Sequence, residues 1–450
     1  MSAPFYILAW AGTLADQLAG WRWAGNAAGL CLLAFLLLEF PRQRRYAQCV
    51  FLALSAIGLL GIANAADKLD LFLSAWRRGA VFASFFFALG MLRDAAETSP
   101  LVRRCGQQLV AQPPGRRYAA LTGGAHVFGI ILSYGAIDLL AAMVARANVQ
   151  GDIALRRMML AIYRGFTIMN CWAPLNLMTV VVSAAIPGAP MLFLVPIAFV
   201  VAQLMLALGW LEDFLHAPLA HGEPIRPTTT ESWAIHLGIV ALVLLVMLCA
   251  QATAALFTVT LAAGITLVLP PIGLAWIGLQ YRRFGRARLP YLLARRLQKF
   301  RHRIPTFRGE AAILGASGFI GIALAGLLPP EGLAPILSPL PGLLIALLVP
   351  VLLIATGQLG LNPIAVITIL GAAMPAPASL GVSPTVLAFA CMLSWGLAVG
   401  MTPMSASAIA TARWANSDPW TVSTRWNAWF TVWALLLTWA AIAAMYTLAN

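Results

Sequence analysis

Apolar stretches separated by short polar connectors run through most of this 450-residue chain. A helix needs about 20 apolar residues to cross the hydrocarbon layer. Stretches near 24–40, 47–65, 79–92, 189–211, 233–250, 252–279, 311–328 and 426–448 fit or approach that pattern and are read as spans. Four further apolar stretches are interrupted at their centres. Ala119 to Ala145 has four glycines and a polar middle, Ser133-Tyr134-Gly135-Ala136-Ile137-Asp138, and Leu155 to Ile186 breaks at Asn170-Cys171-Trp172-Ala173-Pro174. Leu340 to Pro375 breaks at Thr356-Gly357-Gln358-Leu359-Gly360-Leu361-Asn362-Pro363, and Pro384 to Trp414 at Gly400-Met401-Thr402-Pro403.

The four form two ordered pairs, each a stretch with a glycine-containing polar midpoint followed by one with a proline-centred break. This order is an internal repeat. Superposing Pro174 on Pro403 sets Asn176 beside Ser405 and Met178 beside Ser407. The expected organisation is a first repeat over 1–230 and a second over 231–450. Each holds scaffold helices, a hairpin (119–145 or 340–375) and a broken helix (155–186 or 384–414).

Charge fixes the orientation. The connector Tyr281 to Glu310 carries nine arginines and Lys299 against the single acid Glu310, which places it in the cytoplasm. Arg42, Arg44, Arg45, Arg103, Arg104, Arg116 and Arg117 belong on the same side. If 119–145 crossed once, Arg146, Arg156 and Arg157 would lie outside, and so would the long basic connector. A re-entrant hairpin over 119–145 instead brings every large basic cluster inside, with 340–375 as its counterpart from the other face. The acidic-leaning connector Glu212 to Glu231 also falls inside, which mildly opposes the scheme.

Composition agrees with the pattern: 61% of residues are hydrophobic and 10% charged, more apolar surface than one soluble core can enclose. The expected class is therefore an all-α, polytopic membrane protein of about 10–11 transmembrane helices, seated in the cytoplasmic (inner) membrane. Met1 to Gly20 lacks a basic start and a small-residue cleavage site, so it reads as a first span or an interfacial helix and not a signal peptide. The net charge of +14 sits in the connectors, which argues against nucleic acid as a partner. The six cysteines show no Cys-x-x-Cys pair, and the five histidines no i, i+4 pair, so neither a metal site nor another cofactor is expected.

Chemistry is expected where helices are interrupted. In hydrocarbon an unpaired backbone group costs several kcal/mol, so a mid-depth break needs protein or water to satisfy it. Asn170, Asn176 and Thr179 accompany the first break, and Thr402, Ser405 and Ser407 the second. These six are the candidate substrate-binding residues, beyond what a proline kink requires. Ser133, Gly135, Asp138, Thr356, Gly357 and Asn362 are candidates at the hairpin tips or for a coupling ion, where a tight turn with a local asparagine cap is the plainer explanation. Ionisable groups inside a bilayer are functional candidates by default. Asp138 could carry a proton or help bind a cation, and Arg164 could pair with an anion, with Asp138, or with the membrane surface by snorkelling. The connector 282–308, basic with interspersed Leu and aromatic residues, reads either as an amphipathic helix on anionic lipid or as a plain linker.

Gly-Phe-Thr-Ile-Met-Asn-Cys-Trp-Ala-Pro-Leu-Asn (165–176) and Gly-Met-Thr-Pro-Met-Ser-Ala-Ser (400–407) resemble the two broken helices of the ion transporter superfamily. Gly-Leu-Asn-Pro-Ile (360–364) is similar to its second hairpin tip. The superfamily includes divalent-anion/sodium symporters and arsenite or sodium permeases. The resemblance implies a midplane site between hairpins, an elevator-like motion and a homodimer formed through the scaffold helices. Divalent-anion symporters carry Ser-Asn-Thr at the tips, where this chain has Ser133-Tyr134-Gly135 and Leu361-Asn362-Pro363. The tips therefore do not by themselves assign dicarboxylate specificity or sodium coupling to this chain.

The functional expectation is a secondary active transporter, not an enzyme, moving a small anionic solute by alternating access. Sodium or a proton is the candidate coupling ion, and membrane lipids are the other partners. The alternative is a membrane-embedded enzyme acting on a lipid-linked substrate, which also needs a polar cavity among helices. Such an enzyme would present an acid, His or Arg cluster at one face, and the connectors here hold few carboxylates.

Overall fold

The computed structural model describes residues 2–146, 151–216, 233–328 and 332–449, and every described element is helical. Most of the connector Glu212 to Glu231 lies outside the described residues. The first helices are α1 (Ala3–Ala19), α2 (Arg22–Glu39), α3 (Arg45–Asn64), α4 (Lys68–Glu97) and α5 (Pro100–Val110). Next come α6 (Pro114–Leu132), α7 (Gly135–Arg146), α8 (Asp152–Met169), α9 (Leu177–Ala185) and α10 (Met191–His216). The second half runs α11 (Leu237–Phe257), α12 (Leu261–Tyr281), α13 (Leu289–Arg303), α14 (Arg308–Ala323) and a single turn α15 (Ala334–Leu337). The last are α16 (Gly342–Gln358), α17 (Pro363–Ala373), α18 (Pro384–Met401), α19 (Ala406–Trp414) and α20 (Ala428–Ala449).

Nine helical stretches among the described residues are long and apolar enough to cross a membrane, and the chain is an all-α polytopic membrane protein. The 17-residue α1 and the interrupted pair α8 and α9 are not among the nine, which accounts for the lower number than the 10–11 expected. The 12 residues of α7 and 11 of α17 reach only about 18 Å at 1.5 Å per residue, short of a hydrocarbon layer of about 30 Å. Each follows its partner helix after a short turn.

Two span boundaries differ from expectation for a local reason. The stretch read as 79–92 begins at Lys68, where the Asp67 carboxylate accepts the Asp70 N–H and caps α4. The stretch read as 252–279 starts at Leu261, because Thr258 takes a positive φ and the Thr260 hydroxyl accepts the Ala263 N–H to start a new helix.

The chain forms two compact units. The first comprises Met1–Thr98, Leu244–Ala334 and Ile367–Pro375. Its helices meet through small residues: at Gly79 of α4 an added Cβ would lie 2.6 Å from the Gly315 carbonyl of α14, so only glycine permits this crossing. Around it pack Trp76 and Phe319, ring centroids 4.8 Å apart, and the Tyr6 hydroxyl donates to the Ala83 carbonyl at 2.9 Å.

The second unit comprises Ser99–Val243, Pro335–Val366 and Ala376–Asn450. Here α8 is the central element, packed by α6, α7, α10, α18 and α19. It lies so close to α6 that a Cβ at Gly165 would overlap the Thr122 carbonyl and stand 3.0 Å from the Ala125 Cβ. Gly165→Val is expected to lower stability by about 1–3 kcal/mol through overpacking. Thermal unfolding in detergent checks it, with a change at the open position Gly278 as the neutral reference.

Candidate functional site

Every candidate residue named from the sequence lies in the second unit. At the first break α8 ends at Met169, and the Asn170 amide donates to the Phe166 and Thr167 carbonyls at 2.8 and 3.2 Å. Its side-chain oxygen accepts from the Asn176 amide at 2.5 Å. The Asn176 oxygen in turn accepts the Met178 N–H, capping α9, and the Thr179 hydroxyl donates to the Ala173 carbonyl at 3.2 Å. One asparagine closes the helix before the break, the other opens the helix after it, and the two are bonded to each other.

The second break uses the same device with hydroxyls. Thr402 donates to the Ala398 carbonyl at 2.6 Å, and Ser405 caps α19 by accepting the Ala408 N–H at 3.1 Å. Ser407 is fully buried, 3.1 Å from the Ser405 hydroxyl. Asn176 and Ser405, paired by the proline alignment, are thus both N-caps of a resumed helix, and Met178 and Ser407 both stand two residues further on. A helix N-terminus carries about half a positive charge, which favours an anion there.

The carbonyls freed at the second break are taken by distant side chains. Gly400 O accepts from the Tyr163 hydroxyl of α8 at 3.0 Å and from the Asn427 amide at 2.9 Å, and Met401 O accepts from the Gln358 amide at 2.5 Å. A π-helical turn over Thr421–Arg425 precedes Asn427. Because α8 also ends at the first break, one helix ties both breaks together.

At the tips, Ser133 holds a φ of 51° and a ψ of −135°, a region a serine rarely occupies, and Gly135 opens α7. Thr356 donates back to Leu352 O at 2.7 Å, and Asn362 accepts the Ile364 N–H at 2.9 Å as a local cap. Gly357 lies against the Thr402 hydroxyl, where a Cβ would collide.

The two ionisable candidates do not meet. Asp138 accepts from Arg413 at 2.7 Å and from the Trp414 indole at 2.9 Å, which joins α7 to the end of α19. Arg164 is 3% exposed and pairs with Glu212 of α10 at 2.9 Å. It also donates to Asn427 and Tyr118, each at 3.0 Å, and lies 4.5 Å over the Phe430 ring. The pairing of Arg164 with Asp138 is therefore replaced by two separate ion pairs, because an acid on α10 and a base on α19 reach them first. Arg157 and Asp213, with two contacts at 2.8 Å, continue the α8–α10 link.

Sequence reasoning passed over His126. Its Nδ1 lies 3.1 Å from the Gly165 carbonyl, which can only accept, so Nδ1 carries the proton. Nε2 then accepts from the Trp172 indole at 2.7 Å and faces the Gln203 amide at 3.2 Å. The imidazole thereby holds Trp172, the central side chain of the first break, with the two rings stacked at 5.6 Å. A search limited to metal-ligand spacing misses it. An ionisable residue within an apolar stretch was the available signal, as was Asn427 at the head of an apolar span.

No protein-family model matches this chain, and no curated protein matches it in sequence. Among solved structures, the crystal structure of the Alcanivorax borkumensis YdaH transporter, described as having an unusual topology, is similar with a TM-score of 0.55. The match covers 91% of this chain and 97% of that one at 14% identity, so the likeness is one of fold.

Proposed function

We propose that this protein is a secondary active transporter that moves a small anionic solute across the cytoplasmic membrane by elevator-type alternating access, coupled to sodium or protons. The observation that carries the reading is that both interrupted helices resume with side-chain-capped N-termini at equivalent positions of the repeat, within one compact unit. Two such N-termini favour negative charge, and polar breaks at mid-depth belong to transporters. The fold likeness to a solved transporter supports the same reading.

In this proposal the repeats 1–230 and 231–450 are inverted, and each supplies a hairpin and a broken helix. Asn170, Asn176, Thr179, Thr402, Ser405 and Ser407 shape the solute site, with the tips at Ser133–Gly135 and Thr356–Asn362 beside it. The backbone N–H groups of the resumed helices that the caps leave free are the anion donors, since the Asn176 and Ser405 side chains already hold the Met178 and Ala408 N–H groups. Asp138 is the candidate for the coupling ion. Arg164 fixes α8 against α10 and α20 and does not bind solute. The similarity of 165–176 and 400–407 to the ion transporter superfamily belongs to the same proposal, as does a homodimer.

The test is flux into sealed proteoliposomes under an imposed sodium or pH gradient, with solutes chosen from carboxylates, oxyanions and cations that raise the thermal stability of the detergent-solubilised protein. Gradient-dependent accumulation of an anion is expected. Ligand binding by folded protein without flux under either gradient contradicts the proposal.

A further inference from the structure

Helix α13 has two unlike faces. Leu289, Leu293, Arg296, Phe300 and Arg303 recur at spacings of four and three and form the inward face, with Phe300 buried. Its two arginines are committed. Arg296 donates to the Asp94 carboxylate at 2.6 Å and to the Asp94 carbonyl at 2.8 Å, and Arg303 reaches Asp94 at 2.7 Å and Glu97 at 2.9 Å. Arg93 takes the other Glu97 oxygen at 3.0 Å. Both acids at the end of α4 are therefore consumed in holding α13 there.

The opposite face has no such partners. Arg288, Tyr291, Arg295 and Lys299 follow at three and four residues, so they lie along one stripe, and all four are exposed. Arg301 and Leu297 flank them, also exposed. None of Arg288, Arg295, Lys299 and Arg301 makes an ion pair among the described residues. The single acid of 281–310, Glu310, belongs to the first turn of α14.

Depth identifies the occupant. Short connectors join α13 to α12 and to α14, both parts of candidate spans, and its paired face grips the last turn of α4, a third span. A helix tied to the ends of three spans lies at headgroup level, where a tyrosine within a basic stripe is favoured. We infer that the Arg288–Tyr291–Arg295–Lys299 stripe of α13, with Arg301, is a docking surface for anionic lipid headgroups. The committed face sets the helix on the protein, and the uncommitted face reads membrane charge.

Native mass spectrometry of the full-length protein, titrated in detergent with phosphatidylglycerol or with phosphatidylcholine of matched chains, tests this. The wild type should retain phosphatidylglycerol in preference, and added salt should erode the preference. The variant Arg288→Gln/Arg295→Gln/Lys299→Gln/Arg301→Gln should retain about tenfold less, while Arg103→Gln/Arg116→Gln, which removes exposed charge elsewhere, should match the wild type. Equal retention of the two lipids by the wild type overturns the inference without recourse to any variant. So does undiminished phosphatidylglycerol retention by the quadruple variant, or capture of an acidic peptide or oligonucleotide by this face with no lipid preference.

Discussion

Replacing Arg164 with alanine is expected to destabilise the protein by about 3–5 kcal/mol, the cost of removing one partner from a buried ion pair. The guanidinium meets a carboxylate, a phenol, an amide and an aromatic face at once, with 3% of it exposed. Its loss leaves the Glu212 charge without its arginine and removes the donor to the Asn427 side-chain oxygen. Arg164→Lys should recover little, because one ammonium cannot span the Glu212, Tyr118 and Asn427 positions. Arg164→Ala/Glu212→Ala should be more stable than Arg164→Ala alone, since the carboxylate that faced the guanidinium goes too. Denaturation in detergent measures all three. A wild-type midpoint for Arg164→Ala would refute the central place given to α8.

The second large effect is on transport. Asn176→Ala/Ser405→Ala removes both caps, at about 1 kcal/mol each. If that loss falls on solute binding, the combined 2 kcal/mol or so corresponds to roughly thirtyfold weaker affinity. The fold should survive, because the buried residues Val180, Val181 and Val182 of α9 and Ala408 and Ala412 of α19 are untouched, and circular dichroism with the unfolding midpoint monitors this. Asn176→Asp and Ser405→Thr preserve capping chemistry, but the aspartate adds a negative charge where an anion should sit. Only Ser405→Thr should therefore keep near-normal transport. A stable double alanine variant with unchanged transport would remove these two helix ends from the site.

How much of this was readable in the sequence varies with the range of the interactions. The breaks at 170–176 and 402–405 were legible because proline, glycine and small polar residues act on their own backbone, and the proline alignment identified two equivalent caps. The start of α4 was not, since Lys68, Asp70, Arg77 and Arg78 look like a connector until Asp67 caps the helix and Arg77 is drawn to Asp16 of α1 at 3.8 Å. Arg164 could be singled out as an ionisable residue in an apolar run, but its partner could not. Glu212 lies 48 positions away, and only the packing of α8 on α10 decides between it and Asp138. The grip of His126 on Trp172 is non-local in the same way: each residue is ordinary in its own helix, and the 2.7 Å contact exists because Gly165 lets α6 and α8 approach.

The most direct test of alternating access at the two breaks is cysteine accessibility. Leu177→Cys and Met404→Cys, introduced singly with the native cysteines replaced, place a thiol at each break without touching a capping residue. Oriented vesicles are then treated with a membrane-impermeant thiol reagent from either side. Both positions should react from both sides, and a bound solute should protect both together. Reaction from one side alone, or protection of one break and not the other, would contradict a shared site that faces each side of the membrane in turn.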